Sequence, residues 1–246
     1  MTKKIPFMNF WINIRLILIF GLVISLMAFS SKRNTERKLS KSVVEFVGED
    51  NQFVSRKIVN KLLICNKDSV SSLQKVTLNL NSLENSINAH QMIEYSEVFV
   101  TIDGVLKTIV KQKTPIARVF NNNSSFYIDN QGNKMPLSPK LSAHVPIVLG
   151  EINSKNSKDL FQLFRFIFDD SFLKKNIVGA RIMSNNDIIL QNRNYDYEID
   201  FGQCVDFESK FKTYKAFFLK ASNDTTLKNY KKITLRFAQQ AVCTKK

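Results

Sequence analysis

The sequence predicts an α+β fold with three parts: one apolar N-terminal helix, a small α+β domain, and a β-rich domain with flanking helices. Three observations predict it. An apolar run follows the first dozen residues, helical and strand patterns alternate over the next 70 or so, and most later segments alternate apolar and polar residues. The 246 residues suffice for one large or two small domains with cores of their own.

The composition narrows the classes of function. The net charge of +15 predicts attraction to a polyanion, which could be nucleic acid, anionic lipid headgroups or an acidic protein. Three scattered cysteines, Cys65, Cys204 and Cys243, are too few for a disulfide framework or a zinc site. They fit buried packing, and a Cys204–Cys243 bridge stays open as an alternative if the domain lies outside the cytoplasm.

The first predicted element is a membrane span. The run Leu16–Phe29 contains only Ser25 as a mildly polar residue, and with its apolar flanks it can cross a hydrocarbon core of about 30 Å. We predict a tail over residues 1–14, a transmembrane helix over 15–31 and a linker over 32–41. A cleaved signal peptide, with AFSS as its cleavage site, is the alternative.

The basic residues around the span bear on its orientation. Lys3, Lys4 and Arg15 precede it, whereas five follow it: Lys32, Arg33, Arg37, Lys38 and Lys41. By the positive-inside rule alone, the bulk of the chain would lie in the cytoplasm.

Residues 42–112 predict the small α+β domain. A strand is expected over Ser42–Asp50, followed by a helix over Phe53–Ile64 with Val54, Ile58 and Leu62 on one face. A second helix is expected over Ser82–Gln91, capped by Ser82, with Leu83 and Ile87 on one face. Alternation on both sides of Asp103-Gly104 then predicts a hairpin.

Residues 113–246 predict the β-rich domain with two helices. One helix is expected over Asp159–Asp170, with Leu160, Leu163, Phe164 and Ile167 on one face, and the other carries a stripe of Phe207, Phe211, Tyr214 and Phe218. Strands are expected over Phe126–Asp129, Lys134–Leu137, Ile177–Met183, Asp187–Leu190, Tyr195–Phe201, Lys231–Phe237 and Gln239–Thr244. The last two form either a strand pair or one bent strand.

Candidate catalytic and metal-binding residues are few. Asp129 could be a catalytic acid, but no second acid or histidine is positioned to complete a mechanism, so a turn-forming role is favoured. Asp169 and Asp170 end a predicted helix and are interpreted as a solvated terminus, and His90 as a surface or boundary residue. The aromatic residues follow core periodicities, which disfavours binding to nucleic acid.

Several segments resemble the FtsQ/DivIB family of bacterial cell division proteins. The junction QKTPIARV over Gln112–Val119 is similar to the family's pattern, as are FYID over Phe126–Asp129, Gly132, MPLS over Met135–Ser138, and ITLRFAQQAVC over Ile233–Cys243. The element order of the small domain resembles a POTRA domain. Two positions depart from the family: Lys113 stands where arginine is usual, and Phe237 where an aromatic residue with a hydroxyl is common.

The resemblance implies a non-enzymatic component of the division complex in the cell inner membrane. It implies a cytoplasmic tail, a POTRA-like domain over 42–112 and a β-rich domain over 113–246, both extracytoplasmic (periplasmic), against the count of basic residues. The implied partners are FtsB-like and FtsL-like division proteins, other components of the division complex that dock on the POTRA-like domain, and membrane lipid. No cofactor, metal or nucleic acid is implied.

The resemblance also implies where a partner binds. The last strands would accept a segment of the FtsB-like protein by strand addition, and the implied contact residues are Arg236, Phe237, Gln239, Ala241 and Val242. Ordinary sheet packing is the alternative role for each. Two other functions stay open: an envelope-anchored hydrolase with Asp129 as its acid, and a basic nucleic-acid-binding protein.

Overall fold

A computed structural model describes residues 7–35, 39–48, 53–63, 78–121, 124–153, 156–237 and 240–246. The described residues fall into two compact units. One comprises residues up to Val47, Ser55–His90 and Tyr95–Lys111; the other comprises Gly48–Val54, Gln91–Glu94 and Gln112–Lys246. The mixed α+β class predicted from the sequence, with an apolar helix near the N-terminus and a β-rich C-terminal region, is confirmed.

The apolar run forms helix α1 (Phe7–Thr35). Its stretch Trp11–Arg33 is 23 residues long, apolar enough to cross a membrane, and exposed along its whole length. The helix is longer than the predicted span over 15–31, because the apolar flanks Trp11, Ile12 and Ile14 continue it toward the N-terminus. Lys32 and Arg33 lie in its last turn, where cations interact favourably with the helix dipole.

The first unit has the predicted element order. It contains β1 (Lys41–Val47), α2 (Arg56–Leu63), α3 (Leu80–Asn88), β2 (Ile93–Val100) and β3 (Val105–Gln112). The first two residues of β2 and the last residue of β3 are counted with the second unit. The sheet order is β1-β3-β2, with β1 parallel to β3. The turn between β2 and β3 includes Asp103 and Gly104, and Gly104 has φ of +80°, a conformation that favours glycine.

Two details of the predicted helices in this unit are wrong. Helix α2 begins at Arg56, and its buried residues are Val59 and Leu63, whereas Ile58 is exposed. The predicted face was therefore out of phase, because Val54 lies before the helix. Helix α3 is capped by Asn79, whose side chain accepts from the Ser82 backbone N–H at 3.0 Å, and not by Ser82.

The second unit is built on a nine-stranded mixed sheet. Its strand order is β12-β11-β10-β9-β8-β7-β4-β5-β6. The strands are β4 (Pro115–Asn121), β5 (Ser124–Asp129), β6 (Lys134–Met135), β7 (Ile147–Leu149), β8 (Ile177–Ile182), β9 (Ile188–Asn192), β10 (Glu198–Gly202), β11 (Tyr230–Thr234) and β12 (Val242–Lys245). The pairs β4–β7, β7–β8 and β10–β11 are parallel. Of the two readings of the last strands, the strand pair is confirmed.

Three helices of this unit contribute to one core with the sheet. They are α4 (Ser157–Asp169), α5 (Ser171–Asn176) and α6 (Phe207–Asn223). The four residues predicted on one face of α4 are all buried in that core: Leu160, Leu163, Phe164 and Ile167. The aromatic stripe of α6 is also core, because Phe211 and Tyr214 are buried and Phe207 and Phe218 pack against them half-buried.

Replacement of Phe164 by alanine should destabilise the β-rich unit. Phe164 is fully buried, so its loss leaves a cavity that costs about 3–5 kcal/mol of unfolding free energy. Urea unfolding of the detergent-solubilised full chain, followed by far-UV circular dichroism, measures the change. Gln162→Ala, on the exposed side of the same helix, is the matched control and should stay within about 0.5 kcal/mol of the parent. An unchanged urea midpoint for Phe164→Ala would contradict this account of the core.

Candidate partner-binding edge

Strand β12 is the terminal strand of the nine-stranded sheet and pairs antiparallel with β11. Cys243 lies opposite the buried Ile233 and packs against the core, whereas Val242 lies opposite Thr234 and is 46% exposed. Side chains alternate along a strand, so Thr244 shares the outer face with Val242. In the described part of the chain, no strand pairs with the edge of β12 that points away from β11. The backbone N–H and C=O groups on that edge can accept another strand.

Arg236 joins the end of β11 to its neighbours. Its Nε donates to Oδ1 of Asp200 at 2.7 Å, and its Nη1 lies 2.7 Å from Oδ2 of Asp187. Asp200 belongs to β10, and Asp187 directly precedes β9. Both carboxylates are buried while the guanidinium is about half exposed, so one arginine compensates two charges that would otherwise be costly to bury.

Lys232 completes this charge cluster, with its Nζ 2.8 Å from Oδ2 of Asp200. Burial by itself would raise the pKa of Asp200, but hydrogen bonds from Lys232 and Arg236 outweigh it and lower that pKa below its ordinary value. Hydrogen bonds to Asp200 and Asp187 raise the pKa of Arg236 in turn. Asp200 is therefore ionised across the neutral range and holds β10 and β11 together.

Gly202 makes room for the arginine. It has φ of +68°, and a Cβ atom at this position would lie 3.0 Å from Cγ of Arg236. A larger residue would be strained in its backbone and would push on the arginine side chain. The end of β10 and the segment after β11 are thus fitted to each other.

The five residues predicted to bind a partner have different surroundings. Val242 is on the edge strand, and Ala241 directly precedes it, half-buried against the core. Phe237 is 57% exposed and follows the charge cluster. Arg236 is engaged within the chain, and Gln239 lies outside the described residues.

An open cleft of about 960 Å³ lies beside Arg236, at the end of β10 and the start of α6. Phe237 and Val205 line it as exposed apolar side chains, together with Asp206 and Glu208. Its lysine, Lys210, donates to the carbonyl oxygens of Phe201 and Gln203 at 3.0 and 2.7 Å. Among the described residues, its lining thus combines exposed apolar surface with acidic and basic side chains.

Asp129 has the structural role favoured by the sequence. Its Oδ1 accepts from the backbone N–H groups of Gln131 and Asn133 at 3.0 and 2.7 Å, which shapes the turn after β5. Its Oδ2 lies 3.5 Å from Nζ of Lys113, and its side chain is almost completely buried. Lys113, where the resemblance led us to expect arginine, therefore makes a single ion-pair contact rather than a bidentate one.

The other candidate groups are also part of the fold. Asp170 ends α4 and caps α5 by accepting from the backbone N–H groups of Phe172 and Leu173, and it forms an ion pair with Lys215. His90 is half-buried, as a boundary residue would be, and desolvation lowers its pKa. Cys204 and Cys243 are both free thiols, whereas Cys65 lies outside the described residues. Among the described side chains, no group of three or more potential metal ligands converges.

Sequence reasoning missed the charge cluster. Asp200 lies between Ile199 and Phe201 in an alternating strand, a pattern that marks it as outward-facing but names no partner. Its partner Arg236 is 36 residues away. Only the pairing of β10 with β11 brings the two together, and no local pattern predicts that pairing.

A family model described as FtsQ/DivIB, C-terminal related, matches residues 114–244, more than half of the chain. Among solved structures, the chain is similar to the major extracytoplasmic domain of the trans isomer of the bacterial cell division protein DivIB from Geobacillus stearothermophilus. The two share 13% identity with a TM-score of 0.32, over 46% of this chain and 95% of that one. No curated protein sequence matches significantly.

Acid should weaken the β10–β11 junction through Asp200. Because its folded pKa lies below its unfolded value of about 3.8, its stabilising contribution is present above that value and is lost as the pH falls through the folded pKa. Asp200→Asn should therefore unfold more easily at pH 7 and lose less further stability on acidification than the parent chain. Urea unfolding at pH 7 and at pH 3 measures both effects. Asp169→Asn, at a half-exposed surface pair, is the control, and equal acid dependence in the Asp200→Asn variant and the parent would contradict the assignment.

Proposed function

The chain belongs to the FtsQ/DivIB, C-terminal related family, and from this membership we propose that it is a non-enzymatic, membrane-anchored component of the bacterial cell division complex. In this role it links division proteins during septum formation. The observation that carries the proposal is the open edge of β12, which can accept a strand from a partner.

The anchor in this proposal is α1. Its apolar stretch Trp11–Arg33 is long enough for a single membrane span, and residues before it would form a short tail. We place the tail in the cytoplasm and both units on the extracytoplasmic side of the cell inner membrane. The five basic residues that follow the span, against three that precede it, favour the opposite orientation by the positive-inside rule.

A binding role without catalysis is supported by the contacts of the candidate residues. Oδ1 of Asp129 shapes a turn and its Oδ2 lies within ion-pair distance of Lys113, while Asp170 caps a helix and pairs with Lys215. The charged groups beside the edge are likewise engaged: Arg236 and Lys232 neutralise buried carboxylates. These side chains hold strands and turns in place, which suits a scaffold that presents a rigid edge.

The proposed partners are FtsB-like and FtsL-like division proteins. We infer that a segment of the FtsB-like protein pairs with β12, beside Ala241 and the exposed side chains of Val242 and Phe237. The first unit, interpreted as POTRA-like, is a second docking module. Its three-stranded sheet ends in β1 and β2, which leaves two further strand edges among the described residues.

Proline substitutions test strand addition directly. Backbone amides of an edge strand point alternately to its neighbour and to the open side, so of Val242→Pro and Cys243→Pro one removes an outward amide and the other a bond to β11. The variant that lacks the outward amide should lose the FtsB-like partner, while its unfolding free energy stays within about 0.5 kcal/mol of the parent's. The variant that lacks the bond to β11 should lose the partner and also about 1–3 kcal/mol of unfolding free energy. Co-purification from host membranes and thermal unfolding measure the two effects.

The control for this pair is Val242→Ala, which keeps the amide and shortens the side chain. It should retain the partner at near-parental levels if backbone pairing carries the contact. Recovery of the partner at parental yield with both proline variants would show that no strand is added to β12.

The orientation of the span is tested by reporters fused after Lys246. Alkaline phosphatase requires an oxidising compartment, whereas green fluorescent protein matures in the cytoplasm. We expect phosphatase activity and no fluorescence in cells that carry the respective fusions. The same reporters placed within the tail before Trp11 serve as controls with the opposite expected result. Fluorescence without phosphatase activity from the Lys246 fusions would contradict the division role.

A further inference from the structure

Four lysines gather at one end of the β11–β12 pair and are called here the lysine cluster: Lys228, Lys231, Lys245 and Lys246. Lys245 lies opposite Tyr230 at the start of β11, and the backbone N–H of Lys246 donates to the carbonyl oxygen of Asn229 at 2.8 Å. Lys228 belongs to the 3₁₀ turn that leads into β11, and Lys231 to β11 itself. The fold therefore concentrates these charges beside the open edge.

The charge of the lysine cluster is largely uncompensated. Within the described part of the chain, only Lys246 has a carboxylate within 4.0 Å, namely Asp196 at 3.8 Å, and that side chain is 92% exposed. Exposed pairs at this distance are weak. The contrast with Lys232 is clear, because its Nζ lies 2.8 Å from the buried Asp200.

Other cations extend the positive field at this end of the sheet. The backbone N–H of Arg193 donates to the carbonyl oxygen of Asn176, and its Nε donates to that of Lys175, at 2.7 and 3.0 Å. These contacts place Arg193 and Lys175 where β8 begins and β9 ends. The exposed carboxylates in the connections here, Asp196 and Asp224, are fewer than the cations.

The opposite end of the β12 edge has a different character. There Arg236 is bound to Asp187 and Asp200, and Lys210 to two carbonyl oxygens. The cleft at that end is also lined by the exposed Asp206 and Glu208. Unpaired lysines therefore lie at the Lys245 end of the edge, whereas the basic groups beside Phe237 are engaged within the chain and lie next to exposed carboxylates.

We propose that the lysine cluster binds an acidic stretch of the same polypeptide segment that pairs with β12. This inference rests on the proposed strand addition and adds to it the charge of the partner and its position along the edge. The acidic residues of the segment pass Lys245 and the start of β11, and the end near Phe237 carries apolar or uncharged residues.

A polypeptide fits these features better than a lipid surface does. The lysine cluster borders a strand edge, whose free N–H and C=O groups are satisfied by another backbone and not by lipid headgroups. Acidic side chains on an added strand come within reach of lysines on the same sheet. Their attraction accelerates the encounter and sets the register of pairing.

Photo-crosslinking tests the proposal in the full chain in host membranes. A photoreactive amino acid at Thr244, on the outer face of β12, is used to capture the segment that lies against the edge, and mass spectrometry identifies its sequence. The charge variant combines Lys228→Glu, Lys231→Glu and Lys245→Glu. The matched control combines Lys140→Glu, Lys158→Glu and Lys212→Glu, which are equally exposed but lie elsewhere on the unit.

The expected result has three parts. The captured segment is acidic, its crosslinking yield falls about tenfold in the charge variant, which corresponds to about 1.4 kcal/mol, and the yield changes less than about twofold in the control. Changing the acidic residues of the captured segment to lysine should restore crosslinking to the charge variant. Such a charge exchange cannot be explained by misfolding.

The contrary results separate the two proposals. A captured segment that is neutral or basic, or a yield unchanged in the charge variant, would overturn the role of the lysine cluster and leave strand addition standing. If Val242→Pro and Cys243→Pro also leave the crosslink intact, strand addition itself is wrong. Capture of lipid instead of protein at Thr244 would assign this end to the bilayer and overturn both.

Discussion

The parallel pairing of β10 with β11 is the constraint on which the β-rich unit depends. Two adjacent parallel strands must be joined by a crossover, and α6 provides it with Phe211 and Tyr214 buried against the sheet. The Tyr214 hydroxyl is held at 2.9 Å from both Tyr197 and Asn192. Because the two strands then end at the same end of the sheet, Arg236 meets Asp200, and the following chain turns back as the terminal strand β12.

The residues that hold β12 in place are different from the groups that its open edge exposes. Ion pairs join Asp200 to Lys232 and to Arg236, and these contacts hold together the strands next to β12. The groups that the described edge leaves exposed are the backbone of β12 that faces away from β11, apolar side chains such as Phe237, and the lysine cluster. Arg236, which the family resemblance implied as a contact residue, instead pairs with Asp187 and Asp200 and holds the strands beside this edge in place.

The strongest local patterns predicted the fold best. The helical spacing of Leu160, Leu163, Phe164 and Ile167 gave the buried face of α4 correctly, and the ordered motifs after Gln112 led to the right family. The predicted face of α2 was one residue out of phase, because it was counted from the buried Val54, which lies before the helix, whereas the buried helical residues are Val59 and Leu63. The charge cluster was beyond reach, since a strand pattern shows which residues alternate but not which strands become neighbours.

The open edge of β12 also has to avoid other copies of the same chain. An unpaired strand edge is a template for aggregation, and short length and flanking lysines are two features that counter it. β12 has both: it spans four residues and ends at Lys245, beside three further lysines. Two copies that paired edge to edge would bring their lysine clusters onto one short stretch of sheet, where like charges repel. The same lysines that would attract an acidic segment therefore disfavour edge-to-edge pairing of two identical copies.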